Sequence, residues 1–272
     1  MSEKASTAGR LLLNREDDSP ERAPFPDGEV IAFSISSPNK DHNEDCAAVL
    51  PYSEGGVLAV ADGMGGHAGG QQASTLAVKT LSKRVFAASE AGEELRHVVL
   101  DAVEAANRSI LDLGVGAGTT FAAAIIRDGN ARAIHAGDSL VLHVGQRGRI
   151  RAQTISHSPT GYAVEAGVLT ESAAMVHAER HVISNFVGLQ DMRLEVGPSV
   201  SIAKRDTLLV ASDGLADNLT IQEIVDIIRK GPLLAAAEKL VALARKRMAS
   251  PDELSPNKPD DLTVLLFRPA MQ

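Results

Sequence analysis

Apolar residues recur along the chain at two spacings, which predict blocks of strands and blocks of helices. Short apolar runs bounded by glycine, proline and polar residues predict strands at 29–37, 46–50 and 55–61. Apolar positions at helical spacing predict two long helices over 71–89 and 93–113. The first half of the chain therefore begins with strands and continues with a pair of helices.

The middle of the chain is rich in predicted strands. Three β-rich stretches at 119–129, 130–138 and 140–148 are separated by Asp-Gly and Gly-Asp turns, which predicts an antiparallel meander. The pattern weakens over 156–188, which predicts an irregular insert over one face. Inserts of this kind often carry function.

The last third of the chain has the order strand, two helices and strand. One strand ends at Asp213, helices are predicted over 221–230 and 232–248, and the final strand begins after Asp261. Residues 1–28 are mostly polar and contain prolines, so they are predicted to form a flexible amino-terminal tail. Periodicity alone predicts the α+β class.

Acidic residues stand where the predicted strands end. Asp62 and Asp213 each follow an apolar strand, and Asp260 and Asp261 precede the last one. The acidic residues near other strand ends are Glu44, Asp45 and Asp138. A single Asp-Gly pair is usually only a turn, but carboxylates that share a cleft are costly unless a cation offsets them. Oxygen ligands favour Mg²⁺ or Mn²⁺ over zinc, so the sequence predicts a metal site of that type.

The stretch DGMGGHAGG, which follows the third strand, contains more glycines than a turn requires. So many glycines indicate that the backbone closely approaches another group, for example an ion bound by a main-chain carbonyl. Gly63 to Ala68 also match the loose dinucleotide fingerprint between a strand and a helix. Two features disfavour a nucleotide: Asp62 would face the pyrophosphate, and no acidic strand end follows about 20 residues later.

Composition narrows the class of protein without identifying a substrate. The 272 residues are 44% apolar with a formal net charge of −8, which allows a sizeable core and disfavours a nucleic-acid partner. Cys46 is the single cysteine, which excludes an internal disulfide and a cysteine-rich zinc site. No apolar run approaches the ~18 residues of a membrane span, and the first residues lack the apolar segment of a secretory signal. We therefore expect a cytoplasmic protein without a membrane partner.

Six motifs resemble those of a known family in order and spacing. They are NED (43–45), ADGMGGHAGG (61–70), GTT (118–120), GDS (137–139), SDGL (212–215) and DDLTV (260–264). The chain resembles the metal-dependent PP2C-type (PPM family) protein serine/threonine phosphatases, in their bacterial style. The resemblance covers about 29–268 and implies a four-layer α/β/β/α sandwich with two central antiparallel sheets. It also implies a flap at about 159–189 that borders the active site.

The resemblance implies a role for the residue at each motif position. Asp62 would bridge two Mg²⁺ or Mn²⁺ ions, and the backbone carbonyl of Gly63 would also coordinate. Asp213 and Asp260 would complete the coordination of the first ion. Some members of the family use a third, weaker ion, which Asp138 would bind.

The remaining implied roles concern water and the substrate. Glu44 and Asp45 would hold the water shell of the second ion. His67, in the glycine-rich loop, would protonate the leaving alkoxide. Lys40 stands where the family usually has a phosphate-binding arginine; it keeps the positive charge but loses the bidentate fork.

Three other positions depart from the family pattern. Asp261 replaces the usual asparagine and adds a negative charge, Leu140 replaces a frequent arginine, and Ser156 replaces the aspartate of the usual DHS motif. None of these changes removes a residue that the resemblance implies as a direct metal ligand. Activity is therefore expected.

The resemblance implies hydrolysis of phosphoserine and phosphothreonine by metal-activated water, without a phosphoenzyme. A phosphorylated protein would be the substrate, a kinase or its targets would be further partners, and a monomer is expected. The alternative is a catalytically weak relative that binds a phosphoprotein as a signalling adaptor. The retained carboxylates favour the enzyme, because a binding module does not need so many acids in one cleft.

Overall fold

Most strands and helices form where the two spacings predict them, in a computed structural model that describes residues 9–15, 19–53, 55–64, 68–250 and 256–270. The strands in chain order are β1 (Arg10–Leu13), β2 (Glu21–Phe25), β3 (Gly28–Ile35), β4 (Asp45–Tyr52), β5 (Gly55–Met64), β6 (Gly118–Thr119), β7 (Phe121–Arg127), β8 (Asn130–Ala136), β9 (Leu140–Val144), β10 (Ile150–Gln153), β11 (Glu195–Val196), β12 (Val200–Ser201), β13 (Thr207–Ala211) and β14 (Leu262–Pro269). The helices are α1 (Ala68–Ala91), α2 (Leu95–Leu111), α3 (Pro159–Glu165), α4 (Glu171–Ala174), α5 (Asp213–Ala216), α6 (Ile221–Ile228) and α7 (Leu233–Met248).

The strands form two antiparallel sheets. Sheet A has the order β1-β4-β5-β7-β8-β11, with β6 beside β5 and β12 beside β8. Sheet B has the order β10-β9-β13-β14-β3-β2. Because the central strands are buried on both faces, they read as continuous apolar runs rather than as alternating ones.

Three buried clusters show how the layers stack. In β5, Val57 and Ala59 pack in a cluster with residues of α1 and α2, whereas Leu58 and Val60 pack in a cluster with residues of sheet B. A third cluster joins the outer face of sheet B to α6 and α7. The order helices, sheet A, sheet B, helices confirms the predicted four-layer sandwich.

The predicted meander is wrong in its last step. β7 and β8 pair in sheet A, but β9 pairs with β13 in sheet B. The chain crosses at Gly137, where φ is +117° and an added Cβ would lie 2.7 Å from the Thr120 side chain. A Gly-Asp turn signal is the same for a hairpin as for a crossing, so the sequence pattern alone does not separate them. The crossing places Asp138 where the chain passes from one sheet to the other.

Two strands lie within residues 1–28, the predicted flexible tail. β1 pairs with β4 at the edge of sheet A, and β2 pairs with β3 at the edge of sheet B. The inward side chains of Leu12, Ala23 and Phe25 are buried between the sheets. Alternation in such short segments is a weak signal, which explains why this described part of the segment differs from the expectation.

Among the described residues, no helix combines the length and the apolar character needed to cross a bilayer.

Candidate metal centre

Both sheets bring acidic residues to one end of the molecule. Asp45 begins β4 and is the register partner of Asp62, near the end of β5. Asp213 begins α5 just after β13, Asp260 precedes β14, and Asp138 lies at the sheet crossing. The carboxylates whose charges, after burial itself, raise the pKa of Asp62 are those of Asp45, Asp213, Asp260 and Asp138. Together with Glu44, which shares Lys40 with Asp260, and Asp217, which shares Lys258 with Asp213, these acidic residues form one cluster, which we call the carboxylate cluster.

The cluster is electrostatically unfavourable without a compensating cation. Burial and then the charge of Asp261 raise the pKa of Asp45 to about 8. Burial and then the charge of Asp213 raise the pKa of Asp217 to about 7. Burial, followed by the charge of Asp213, also raises the pKa of Asp138 well above its ordinary value. Each shift means that the ionised carboxylate is less favourable in the fold than in water.

Several carboxylate oxygens in this cluster are buried without a hydrogen-bond partner among the described residues. They are Glu44 Oε1, Asp45 Oδ1, Asp138 Oδ1 and Asp213 Oδ1. Buried polar atoms are normally paired, because an unpaired one loses its hydration without compensation. Free oxygens of this type are the ligands that Mg²⁺ and Mn²⁺ prefer. The residues present therefore fit a divalent cation.

Glycines at the start of the loop let the backbone pack against the carboxylate cluster. A Cβ at Gly63 would collide with the carbonyl of Gly70, and one at Gly70 would lie 2.6 Å from Glu44 Oε1. The Gly63 N–H donates to the Glu44 carbonyl at 3.3 Å. His67 and the rest of 65–67 lie outside the described residues.

Hydroxyl groups from the other motifs fix the acidic residues in position. The Thr120 N–H donates to the Asp62 carbonyl at 2.8 Å, and Thr120 Oγ1 accepts from the Asp62 N–H at 3.0 Å. Thr120 Oγ1 also lies 2.7 Å from Ser139 Oγ, beside Asp138. Ser212 Oγ donates to Asp45 Oδ2 at 2.7 Å, which joins the two sheets. The GTT motif thus positions acidic residues, and the SDGL motif both positions and supplies them.

A cavity of about 280 Å³ lies beside the carboxylate cluster, under residues 159–189. Its lining includes Asp138, Asp213 and Asp217 on one side and Arg180, from the predicted flap, on another. The end of the flap is fixed to the GTT motif, because Val187 and Thr119 exchange two backbone hydrogen bonds. The predicted irregular insert therefore borders the acidic residues.

A group of three potential ligands lies elsewhere with its ligand atoms within 4.8 Å of one another: His135, His157 and Glu195. The Gly137 N–H donates to His157 Nδ1 at 3.1 Å, so the ring proton lies on Nε2 and points to Glu195. His135 Nε2 donates to the Ile155 carbonyl at 2.9 Å. A ring whose Nδ1 accepts a backbone N–H has no lone pair at Nε2, so this group holds the sheet crossing in place instead of a metal.

A family model described as protein phosphatase 2C matches residues 37–248. The chain belongs to the protein phosphatase 2C family. The family predicted from the six motifs is confirmed, and with it the activity class, protein serine/threonine phosphatase.

Relatives in this family are bacterial serine/threonine phosphatases. Protein phosphatase PhpP of Streptococcus pneumoniae is 33% identical over 203 residues, which are 69% of this chain and 79% of PhpP. The crystal structure of the serine/threonine phosphatase PstP/Ppp of Mycobacterium tuberculosis matches with a TM-score of 0.73 and 26% identity, covering 89% of this chain and 98% of that one. A PstP catalytic domain in complex with two manganese ions matches with a TM-score of 0.70 and 26% identity, covering 88% and 96% of the two chains. The carboxylate cluster is therefore consistent with the divalent-metal dependence of this family.

Two departures of this phosphatase 2C chain from the family pattern compensate each other. Lys40 Nζ lies 3.2 Å from Asp261 Oδ2, as well as 3.1 Å from Asp260 Oδ1. Asp261 is buried and also accepts the N–H groups of Ser37 at 2.7 Å and Glu44 at 2.8 Å. Burial opposes the charge of Lys40, but Asp260 and Asp261 outweigh it and raise the pKa of Lys40 above its usual range. The lysine therefore supplies the charge that the extra aspartate requires.

We expect Lys40→Met and Asp261→Asn to be strongly non-additive. Each single change removes one charge of a partly buried ion pair and leaves the other less well compensated, so the coupling energy should be about 1 kcal/mol or more. Urea unfolding of both single variants and the double variant, in EDTA, measures it. The exposed pair Arg22–Glu29, at 2.7 Å, provides the control, since Arg22→Met and Glu29→Gln should be additive to within about 0.5 kcal/mol. Additivity at Lys40 and Asp261 would contradict compensation.

Sequence reasoning missed two charged residues of the candidate site, Lys258 and Asp217. Lys258 Nζ lies 2.7 Å from Asp213 Oδ2, 2.6 Å from Asp217 Oδ2 and 3.3 Å from Asp260 Oδ2. Burial opposes the charge of Lys258, but these three carboxylates raise its pKa above the usual range. In return Lys258 lowers the pKa of Asp213 in spite of its burial. The spacing of four between Asp213 and Asp217, one helical turn, was the available signal.

Proposed function

We propose that this chain hydrolyses phosphoserine and phosphothreonine in proteins with two Mg²⁺ or Mn²⁺ ions held by the carboxylate cluster. The observation that carries the proposal is the set of buried carboxylate oxygens without partners on Glu44, Asp45, Asp138 and Asp213. Bound divalent cations supply an activated water at neutral pH and neutralise phosphoryl oxygens.

Within this proposal, residues at the junction of the two sheets bind the ions. Asp62, the Gly63 carbonyl, Asp213 and Asp260 would hold them. Support comes from the shared position of these residues at the ends of β5, β13 and β14. The motif residues Glu44 and Asp45 would hold the water shell of the second ion.

A third cation site is proposed at Asp138. Asp138, Asp213 and Asp217 line the same cavity, and burial followed by the charges of Asp213 and Asp217 raises the pKa of Asp138; these three carboxylates would hold the ion. In the structure, Lys258 contacts Asp213 and Asp217 and supplies part of the positive charge that these carboxylates require.

No side-chain nucleophile is assigned, and water takes that role. The single thiol, on Cys46, is fully buried, and burial raises its pKa while Ser74 and Thr75 hydrogen-bond to it. A thiol held protonated in the core does not attack a phosphoprotein substrate. His67 remains the proposed acid for the leaving alkoxide.

Positive and apolar groups around the cavity suit a phosphoprotein. Lys40 and Arg180 are the proposed contacts to the substrate phosphate, one at the cluster and one on the flap. Exposed apolar side chains on the flap, including Val168 at 76% and Tyr162 at 44%, offer contacts for the surrounding polypeptide. The substrate chemistry implies a protein kinase as the enzyme that supplies it.

Hydrolysis of p-nitrophenyl phosphate and of a phosphothreonine peptide tests the proposal. We expect turnover with Mn²⁺ or Mg²⁺, loss to background in EDTA, and recovery when Mn²⁺ is returned in excess. Turnover that survives EDTA would contradict the metal mechanism. A folded protein that binds Mn²⁺ without turnover would support the adaptor alternative instead.

A further inference from the structure

A second cavity, of about 1120 Å³, lies at the opposite end of sheet B and is lined by basic residues. It is bordered by Pro269, the last residue of β14, and by Ala270 after it, whereas Asp260 stands before that strand. The eight residues of β14 separate the two places, which corresponds to about 25 Å along an extended strand. We call this second cavity the basal cavity.

The charge of the basal cavity is opposite to that of the whole chain. Its lining contains six cationic residues and one carboxylate, Glu29, in a protein with a formal net charge of −8. The cationic residues are Arg22, Lys204, Arg205, Arg229, Lys230 and Arg268. Concave clusters of one sign concentrate the field and attract ligands of the other sign.

Part of this charge is not used within the fold. Arg22 pairs with Glu29 at 2.7 Å, and Arg229 pairs with Asp226 at 3.0 Å. Lys204, Arg205 and Lys230 form no ion pair among the described residues, and all three are exposed. Within the described part of the chain, Arg205 donates only to the neutral Gln146 Oε1, at 3.3 Å, which leaves its charge uncompensated. These three cations are available to an anionic ligand.

The walls of the basal cavity add two further features. α7 begins at the cavity with Pro232 at its N-cap, and no side chain accepts from its first amide groups. The free amides at a helix start favour an anion, in addition to the lysines. Pro24 and Pro269 line the same cavity and provide an apolar wall against which a planar ring packs.

We propose that the basal cavity binds a small polyphosphate ligand that also carries a planar apolar group, of the chemical class of a nucleoside triphosphate. The phosphates contact Lys204, Arg205 and Lys230, and the ring lies against the prolines. The volume of about 1120 Å³ is slightly above the range of about 300–1,000 Å³ usual for small-molecule sites. This site is independent of the carboxylate cluster and of the phosphatase reaction.

Calorimetric titration of the full chain with ATP in excess EDTA tests the proposal. Without divalent cations the carboxylate cluster repels polyphosphate, so binding there does not interfere. We expect saturable binding of one ATP, weakened at least about tenfold in the double variant Lys204→Glu/Lys230→Glu, a loss of about 1.4 kcal/mol. Both lysines are exposed, so the fold should tolerate the change, and circular dichroism verifies this.

The control exchanges two exposed basic residues on α1, Lys83→Glu and Arg84→Glu. This variant should bind ATP as the parent does. Equal weakening in both double variants, or no saturable binding up to about 1 mM ATP, would overturn the proposal. Tripolyphosphate should bind more weakly than ATP, and equal affinity would contradict the role assigned to the proline wall.

Discussion

Asp62→Asn should lower kcat/KM for a phosphothreonine peptide by about 1,000-fold or more. Loss of groups that only support a metal ligand typically costs 10–100-fold, and a ligand shared by two ions should cost more. The backbone of Asp62 is held by Thr120 through two hydrogen bonds, so its geometry does not depend on the carboxylate charge. Asp101→Asn, on the exposed face of α2, is the matched control and should leave kcat/KM unchanged.

The same variant should be more stable than the parent in EDTA. Burial and the neighbouring carboxylates raise the pKa of Asp62 well above its ordinary value, so its ionised form destabilises the fold at neutral pH. Asparagine removes that charge, and the unfolding temperature should rise by about 2–4 °C for each 1 kcal/mol gained. Inactivity combined with greater stability would show a functional role for the carboxylate. Unchanged turnover would contradict the assignment of Asp62 as a metal ligand. A lower unfolding temperature would contradict the destabilising effect assigned to its buried charge.

Most secondary structure was predictable because this sheet architecture leaves strong local signals. The runs at 46–50 and 55–61 are buried on both faces and lie within β4 and β5. The two long helices were readable from apolar spacing, as α1 and α2 show. The sheet to which β9 belongs was not predictable, because pairing is a long-range choice that the turn at Gly137 does not encode.

The candidate site was predictable as far as its acidic residues stand beside strand ends. Asp62, Asp213 and Asp260 could be connected because each borders an apolar run. Lys258 could not be connected to them from the sequence, since a lysine two residues before an acidic pair looks like an ordinary surface charge. Only the folded chain shows that its ammonium group is partly buried among carboxylates from α5 and from the residues before β14.

Lys258 therefore acts as an internal counter-ion for part of the carboxylate cluster. Its side chain is 21% exposed, and the carboxylates of Asp213 and Asp217 are 12% and 19% exposed. An ammonium group is a single positive charge, whereas a divalent cation brings two and accepts several oxygen ligands. The lysine and a metal ion are thus competitors for the oxygens of Asp213 and Asp260.

Lys258→Met should destabilise the protein in EDTA by about 3 kcal/mol, because breaking a buried ion pair leaves carboxylates uncompensated. In saturating Mn²⁺ the difference from the parent should shrink to about 1.6 kcal/mol, since the ion replaces the missing charge and binds only the folded state. The variant should also bind Mn²⁺ about tenfold more tightly, a change of about 1.4 kcal/mol. Urea unfolding with and without Mn²⁺, and calorimetric titration with Mn²⁺ alone, measure these effects.

Lys239→Met, on the exposed side of α7, provides the matched loss of a lysine charge and should change neither quantity. The same destabilisation of Lys258→Met with and without Mn²⁺ would mean that the lysine supports the fold independently of any cation. Weaker Mn²⁺ binding by this variant would mean that Lys258 assists the ion instead of competing with it. The expected pattern, loss of stability in EDTA together with tighter metal binding, follows only if the two cations occupy the same carboxylate oxygens in turn, because the free energy that Lys258 contributes without metal must then be given up when metal binds.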